Sequence, residues 1–142
     1  MTIWIDADAC PVVGPAIAMA KRHGIECVLL CDTAHRMERE GARTIIVSKG
    51  ADSVDFALVN MVRADDIVIT QDYGLAAMCL ARKSKVLNQN GLVYTDSNMD
   101  SLLAQRHTSK QLRAAGIRTK GPAKRTAEQD DAFIAALKQL LS

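Results

Sequence analysis

The chain has 142 residues, of which 49% are hydrophobic and 24% are charged, and its formal net charge is +2. This length is usual for one domain, and this composition excludes a disordered or fibrous chain. No apolar run reaches the roughly 20 residues that a membrane-spanning helix needs, and the first residues lack the basic segment of a signal peptide. We therefore expect a single cytoplasmic domain over residues 1–142, without a membrane partner.

The first part of the chain alternates apolar strands with helices. Residues 2–5 are typical of a short buried strand that ends at Asp6, and residues 12–23 of an amphipathic helix ended by Gly24. The pattern continues with strands over 26–31 and 44–48, a helix over 53–64, a strand over 66–70 and a helix over 73–83. Continuous apolar strands between helices predict an α/β fold of three layers, with a mostly parallel sheet and helices on both faces.

The last third of the chain has a different pattern. Residues 86–87 and 92–94 predict a short strand or hairpin, with a tight turn at Asn90-Gly91. A helical and increasingly basic C-terminal part begins at about residue 96, with a helix over 98–113 and a loop over 116–124. Thr126 and Gln129 have the spacing of a capping box, which predicts a last helix that runs to about residue 141.

Acidic side chains follow two of the predicted parallel strands. Asp6 and Asp8 come directly after the first strand, and Asp72 comes after the fourth. Asp52 and Asp55 lie at the start of the helix that follows the third strand. Because the carboxyl ends of parallel strands share one edge of a sheet, where open α/β sheets bind their ligands, we expect these residues to converge there.

Converging carboxylates repel one another and stay ionised together only if a cation neutralises them. Oxygen ligands favour Mg²⁺ or Mn²⁺ over zinc, and such a cation activates water and neutralises phosphate oxygens. A helix cap is the alternative for a single acid, and it applies to Asp52 and to Asp8. Asp65 and Asp66 precede the fourth strand, at the opposite edge of the sheet, and are interpreted as solvated.

The cysteines and histidines carry weaker signals. The four cysteines lack the spacing of a zinc site and are interpreted as reduced, packed side chains. Cys10 stands at a helix start, where the helix dipole lowers a thiol pKa, but no histidine is near it in sequence to act as a base. His23, His35 and His107 are interpreted as isolated, and His23 suits a helix C-terminus.

Residues 106–125, the basic segment, contain seven Lys or Arg and no Asp or Glu. Because these cations repel one another, a phosphate partner such as RNA is favoured over a solvated surface. The segment has no aromatic side chain for stacking on bases, so contacts to the phosphate backbone with little sequence preference are expected. The predicted phosphate-binding residues are Lys110, Arg113, Lys120, Lys124 and Arg125.

Four motifs resemble those of a known family. Residues 3–12 (Ile-Trp-Ile-Asp-Ala-Asp-Ala-Cys-Pro-Val), 50–58 (Gly-Ala-Asp-Ser-Val-Asp-Phe-Ala-Leu), 66–76 (Asp-Ile-Val-Ile-Thr-Gln-Asp-Tyr-Gly-Leu-Ala) and Gly121-Pro122 resemble, in order, the YaiI/YqxD family. The resemblance covers nearly the whole chain. That family is grouped with PIN-like domains, and PIN domains are Mg²⁺- or Mn²⁺-dependent ribonucleases with a small parallel sheet and a cluster of acids. The resemblance therefore implies a PIN-like fold and nuclease chemistry.

The resemblance also implies roles for individual residues. Asp6 matches the acid after the first PIN strand, and Asp52 or Asp55 matches the acid on the central helix. Asp72 matches the acid of a Thr-x-Asp motif. Asp8 is a neighbour peculiar to this branch, and Thr70 would orient Asp72. The fourth acid that PIN domains often carry just beyond this motif has no clear equivalent here.

The leading hypothesis is a metal-dependent phosphodiesterase, similar to a ribonuclease, that acts on RNA. Its catalytic acids would be Asp6, Asp8, Asp55 and Asp72, and its metal ligands would be the same four residues and Asp52. A phosphatase of the haloacid-dehalogenase type is one alternative, with Asp6 as the phosphorylated nucleophile and Asp8 as the general acid. Cys10 in the third position of that motif speaks against it. The other alternative is a PIN-like domain that binds RNA or a protein partner without catalysis.

Overall fold

The computed structural model of the chain describes residues 1–48, 53–116 and 124–142, and it does not describe the side chains of residues 53, 106–110, 112 and 113. Within these residues, no helix is long and apolar enough to cross a membrane. The elements, in chain order, are β1 (Thr2–Asp6), α1 (Val13–Arg22), β2 (Glu26–Asp32), β3 (Arg43–Val47), α2 (Ser53–Met61), β4 (Ile67–Ile69), α3 (Tyr73–Ala81), β5 (Lys85–Leu87), β6 (Val93–Tyr94), α4 (Asp96–Ala114) and α5 (Ala127–Leu141).

The six described strands form one sheet in the order β3-β2-β1-β4-β5-β6. All neighbouring pairs are parallel except β5 and β6, which are antiparallel, with Leu87 opposite Val93. The chain crosses from β3, at one edge, back to β4, on the other side of β1. The sheet therefore has its topological switch point between β1 and β4, where open α/β sheets bind ligands at the carboxyl ends of their strands.

Two hydrophobic cores cover the two faces of the sheet. On β1, the side chains of Ile3 and Ile5 belong to one core, shared with α1 and α5, while Trp4 belongs to the other core, shared with α2 and α3. Alternate side chains of a strand point to opposite faces, so a strand that is apolar throughout is buried on both sides. The predicted fold class, a mostly parallel sheet with helices on both faces, is confirmed.

The ends of the helices follow from local hydrogen bonds. The predicted capping box of the last helix is confirmed, because the Thr126 hydroxyl accepts a bond from the Gln129 amide and the Gln129 side chain accepts one from the Thr126 amide. No side chain caps α1, so the cap predicted as an alternative for Asp8 is wrong. The cap predicted at Asp52, and most of the loop predicted over residues 116–124, lie outside the described residues.

Asp66 is a buried structural acid, and its interpretation as solvated is wrong. Its side chain is 5% exposed, because it lies beneath the amino ends of the strands. The carboxylate accepts hydrogen bonds of 2.9 Å from the Thr2 amide, the Trp4 indole and the Arg63 amide. These bonds tie β1 to the turn between α2 and β4, so α2 ends at Met61 and not at the predicted residue 64.

The turn between β5 and β6 packs against α5. Gly91 has a positive φ of 84°, and a Cβ atom at this position would lie 2.5 Å from the Ala132 carbonyl oxygen. Only glycine therefore allows the turn to approach the helix so closely. The side chain of Asn88 accepts hydrogen bonds from the Asn90 and Leu92 amides and closes the turn from within.

Candidate functional site

A cavity of about 400 Å³ lies at the carboxyl ends of β1 and β4. We call it the acid cavity, and its lining residues are Asp6, Asp8, Ala9, Gln71, Asp72 and Tyr73. Three of the predicted site acids thus share one cavity at the topological switch point, although Asp6 and Asp72 are 66 residues apart in sequence. Parallel pairing of β1 with β4, with Ile5 opposite Ile69, brings them together.

Asp6 and Asp72 are joined through Thr70. The buried Thr70 hydroxyl donates a hydrogen bond of 3.1 Å to the Asp6 carboxylate and accepts one of 3.0 Å from the Asp72 amide. The residue that was predicted to orient Asp72 therefore contacts the backbone of Asp72 and the side chain of Asp6. This arrangement fixes the two acids relative to each other at the floor of the acid cavity.

Asp72 is also the N-cap of α3. One of its carboxylate oxygens, Oδ1, accepts hydrogen bonds from the Gly74 amide at 2.8 Å and the Leu75 amide at 3.2 Å. Among the described residues, Oδ2 has no hydrogen-bond partner. Asp72 thus has one oxygen that holds the helix and a second one that is available to a ligand in the acid cavity.

Asp6 is poised between its protonated and ionised forms. The pKa of Asp6 is raised from 3.8 to about 6, mainly by burial and also by the nearby Asp72 and Asp8 carboxylates, while the hydrogen bond from Thr70 works in the opposite direction. The charges of Asp72 and of Asp8 thus each act on Asp6. A cation in the acid cavity would relieve both the burial and the repulsion.

His35 and Asp32 form a second polar group beside the acid cavity, and the interpretation of His35 as isolated is wrong. Asp32 ends β2 and accepts hydrogen bonds from the Ala34 and His35 amides and, at 2.9 Å, from the His35 ring nitrogen Nδ1. Because an ionised carboxylate only accepts hydrogen bonds, Nδ1 carries the hydrogen. The other ring nitrogen, Nε2, lies 3.6 Å from the Asp8 carboxylate.

The bond from the His35 ring lowers the pKa of Asp32, so Asp32 is an ionised partner that fixes the imidazole. Sequence analysis missed this acid, although a signal for it exists. Asp32 directly follows the apolar run of β2, as Asp6 follows the apolar run of β1. A search for every acid at the end of an apolar strand would have found it.

The acids fit a hard divalent cation in their chemistry, because each offers carboxylate oxygens and no thiolate lines the cavity. Among the described residues, however, no three Asp, Glu, His or Cys side chains stand close enough to form a metal site as they are oriented. Asp8 is the side chain with room to turn, since it is 51% exposed. A cation held by all three acids would therefore need a different side-chain orientation, and Asp8 has the room to adopt one.

Of the two other predicted metal ligands, the structure describes only Asp55, which is not among the described residues that line the acid cavity. Asp52 lies outside the described residues. Asp55 is in the first turn of α2, on the sheet face that carries α3. The pKa of Cys79 on α3 is raised to about 12, mainly by burial and also by the charges of Asp55 and Asp6. Asp55 therefore lies within electrostatic range of the same helix that borders the cavity.

The predicted phosphate-binding residues are described only in part. The side chains of Lys110 and Arg113, and the whole of Lys120, lie outside the described residues, while Lys124 is exposed. Arg125 is held by the protein itself. Its guanidinium donates to Asp130 at 2.7 Å, to the Asn90 side chain at 2.7 Å and to the Gln89 carbonyl at 2.6 Å. Arg125 thus fastens the start of α5 to the turn between β5 and β6.

Cys10 and Tyr73 complete the surroundings of the acid cavity. Burial raises the pKa of Cys10, and Asp6 adds to this, whereas Arg125 acts in the opposite direction. The thiol is therefore not activated by its place before α1. Tyr73 lines the cavity, and its ring meets the buried ring of Tyr94 edge to face, with centroids 5.9 Å apart. This contact fixes the Tyr73 ring at the border of the cavity.

Comparison with known proteins links the chain to a defined family. Residues 4–142 match the family model described as "Uncharacterized BCR, YaiI/YqxD family". A UPF0178 protein of Exiguobacterium sibiricum is 52% identical over 142 residues, which cover 100% of this chain and 97% of the relative. A UPF0178 protein of Ruminiclostridium cellulolyticum is 50% identical over 96% of this chain and 90% of its own length. No solved structure shows a significant match.

Proposed function

We propose that this chain, which belongs to the YaiI/YqxD family, is a metal-dependent phosphodiesterase that acts on RNA. The observation that carries the proposal is the acid cavity. Asp6, Asp8 and Asp72 line it together, and their mutual repulsion and burial raise the pKa of Asp6 to about 6. Acids in such an arrangement are costly to the protein without a cation, and this cost argues for a functional role.

In this proposal the three acids hold Mg²⁺ or Mn²⁺, with Asp72 offering Oδ2 and Asp8 turning inward. When bound, such a cation lowers the pKa of a coordinated water and neutralises charge on phosphate oxygens. Thr70 keeps Asp6 in place through its hydrogen bond of 3.1 Å, and the cap at α3 keeps Asp72 in place. Tyr73, fixed by Tyr94, offers its ring to a sugar or base beside the reacting phosphate.

The basic segment supports RNA as the substrate. Its seven cations and no acids suit a phosphate backbone, and one of these cations, Lys124, is exposed just before α5. Arg125 has a structural role in the clamp described above, so a test of phosphate binding uses Lys124 without Arg125. We assign the contact with RNA to the basic segment and the chemistry to the acid cavity.

The test is cleavage of mixed-sequence RNA in single-turnover assays with Mg²⁺ and with Mn²⁺. We expect Asp6→Asn to slow cleavage at least about a hundredfold, which is the scale of loss when a group that stabilises charge in the transition state is removed. Asp65→Asn is the matched control. Asp65 is an exposed acid at the opposite edge of the sheet, and its positive φ of 69° suits asparagine.

Binding of RNA is measured separately as a function of salt. Replacement of Lys124 by Ala should reduce the slope of log affinity against log salt by about 0.7, the value for one phosphate contact on a single strand. Cleavage that is equal in Asp6→Asn and wild type would overturn the proposal. Binding without cleavage would favour the non-catalytic alternative, and an alkali-labile phosphoenzyme on Asp6 would favour the phosphatase.

A further inference from the structure

A second cavity, of about 570 Å³, lies at the amino ends of the strands, opposite the acid cavity. We call it the amino-edge cleft. Its volume is in the range of sites for small molecules. Residues at the starts of β1, β2 and β3, at the end of α2 and just after α3 line it. Its charged lining residues are Arg43, Arg63, Arg82, Glu26 and Asp66.

The two acids of the cleft differ in what they offer to the arginines. The carboxylate of Asp66 is occupied by three neutral donors, the Thr2 amide, the Trp4 indole and the Arg63 amide. Among the described residues, no arginine side chain forms an ion pair with it. Glu26 pairs with Arg43 at 3.1 Å, and both side chains are more than half exposed, so water screens this pair strongly.

The guanidinium groups of the arginines that line the cleft keep N–H donors that make no hydrogen bond among the described residues. Arg43 uses only Nε in its bond to Glu26, and Arg82 uses Nη2 in a bond of 3.3 Å to the Val62 carbonyl. Within the described part of the chain, the Arg63 guanidinium has no hydrogen bond or ion pair. Each guanidinium has five N–H donors in a planar fork that matches the oxygens of a phosphate group.

We propose that the amino-edge cleft binds a polyphosphate anion, such as the diphosphate or triphosphate group of a nucleotide. Three forked cations around one cavity match several linked phosphate groups better than a single phosphate. Among the residues that the structure describes, none lines both the cleft and the acid cavity, so this site is independent of the proposed phosphodiesterase activity. The buried Asp66 also lines the cleft, and its carboxylate is already hydrogen-bonded to three neutral donors.

The experiment titrates the protein with inorganic pyrophosphate, without divalent cations, and follows the indole N–H signal of Trp4 by NMR. Trp4 is the only tryptophan of the chain and lines the cleft, so its signal reports on this site. We expect saturable binding that Arg63→Gln weakens about tenfold, the effect of losing one charge-assisted contact. Arg36→Gln is the matched control, since Arg36 is exposed and pairs with Glu38 elsewhere.

Two further titrations test which part of the ligand is recognised and whether the acid cavity takes part in binding. A nucleoside diphosphate that binds more tightly than pyrophosphate identifies a nucleotide as the natural ligand, whereas equal affinity identifies the phosphate groups alone as the recognised part. Asp6→Asn should leave the affinity for pyrophosphate unchanged, because the acid cavity takes no part. An affinity that Arg63→Gln and Arg36→Gln lower equally, or no change of the Trp4 signal at millimolar pyrophosphate, would overturn the proposal.

Discussion

The two edges of the sheet place aspartates in opposite circumstances. At the amino edge, Asp66 is 5% exposed and accepts three hydrogen bonds that use both carboxylate oxygens. At the carboxyl edge, Asp6 accepts one hydrogen bond among the described residues, from Thr70, and faces the charges of Asp72 and Asp8. A buried acid with enough donors stabilises the fold, whereas a buried acid among other acids destabilises it until a ligand arrives.

The largest effect is expected at the amino edge. Asp66→Asn places an amide NH₂ group where Trp4 and Arg63 donate, so donors face donors in a buried site. We expect a loss of about 2–5 kcal/mol in the free energy of unfolding, as for other buried polar networks that are broken. Urea denaturation measures it, with the exposed neighbour variant Asp65→Asn as control. Equal stability of the two variants would show that Asp66 does not hold the edge.

At Asp6, in contrast, substitution by Asn is expected to increase the free energy of unfolding. Its pKa is about 6 in the folded protein against an ordinary value of 3.8, so the folded protein binds this proton more tightly than the unfolded chain does. The stability that the protonated carboxyl contributes is present below pH 3.8 and is lost as the pH rises through about 6. Above that pH, Asp6→Asn should be more stable than the metal-free wild type by an amount on the order of 3 kcal/mol.

Thermal melts in a chelator at pH 8 and at pH 4 check this prediction. The variant should gain stability at pH 8 and lose that advantage at pH 4, where wild-type Asp6 is itself protonated. Asparagine keeps an oxygen that accepts the bond from Thr70, so the comparison isolates the charge. A difference that is the same at both pH values would assign the effect to packing and not to repulsion.

Asp72 combines both circumstances, because one oxygen caps α3 and the other faces the acid cavity. We expect Asp72→Ala to lose about 1 kcal/mol of stability through the lost cap, and Asp72→Asn to lose little, since asparagine caps equally well. Chemical denaturation of both variants measures the difference. If Asp72→Asn lost as much as Asp72→Ala, the charge of Asp72 and not its cap would stabilise the protein.

The fold was predictable because the local patterns agree. Each of three patterns predicts its own local element: the continuous apolar strands, the capping box at Thr126 and the turn at Asn90-Gly91. The parallel sheet then brings Asp6 and Asp72 to one edge. What sequence analysis missed depends on side-chain contacts across the fold. The indole of Trp4 donates to Asp66, which is 62 residues away in sequence. No local sequence pattern identifies an acid whose hydrogen-bond donor is so distant in the chain.

The same limit applies at the acid cavity. Asp32 and His35 are close in sequence, but only the fold places the His35 ring 3.6 Å from Asp8. Conversely, the charge of Arg125 suggested a phosphate site, while its three bonds within the protein depend on the packing of α5 against the turn after β5. Charge and order in the sequence predict where groups gather, and packing decides which of them remain available.

The smallest effect on stability is expected at Asp8, the most exposed of the three acids that line the acid cavity. Asp8 and His35 are 51% and 54% exposed, so their contact of 3.6 Å lies at the surface and is weak even when the imidazole is charged. Asp8→Asn should therefore change the free energy of unfolding by less than about 0.5 kcal/mol.

If Asp8 turns inward to bind a cation, the same variant should nevertheless reduce the rise in melting temperature that Mn²⁺ causes in the wild type. The control His35→Gln removes the contact with Asp8 but keeps the carboxylate, so it should leave the Mn²⁺ effect in place. Loss of the Mn²⁺ effect in both variants would mean that the ion needs His35 as well as Asp8, and its persistence in both would leave Asp8 outside the site.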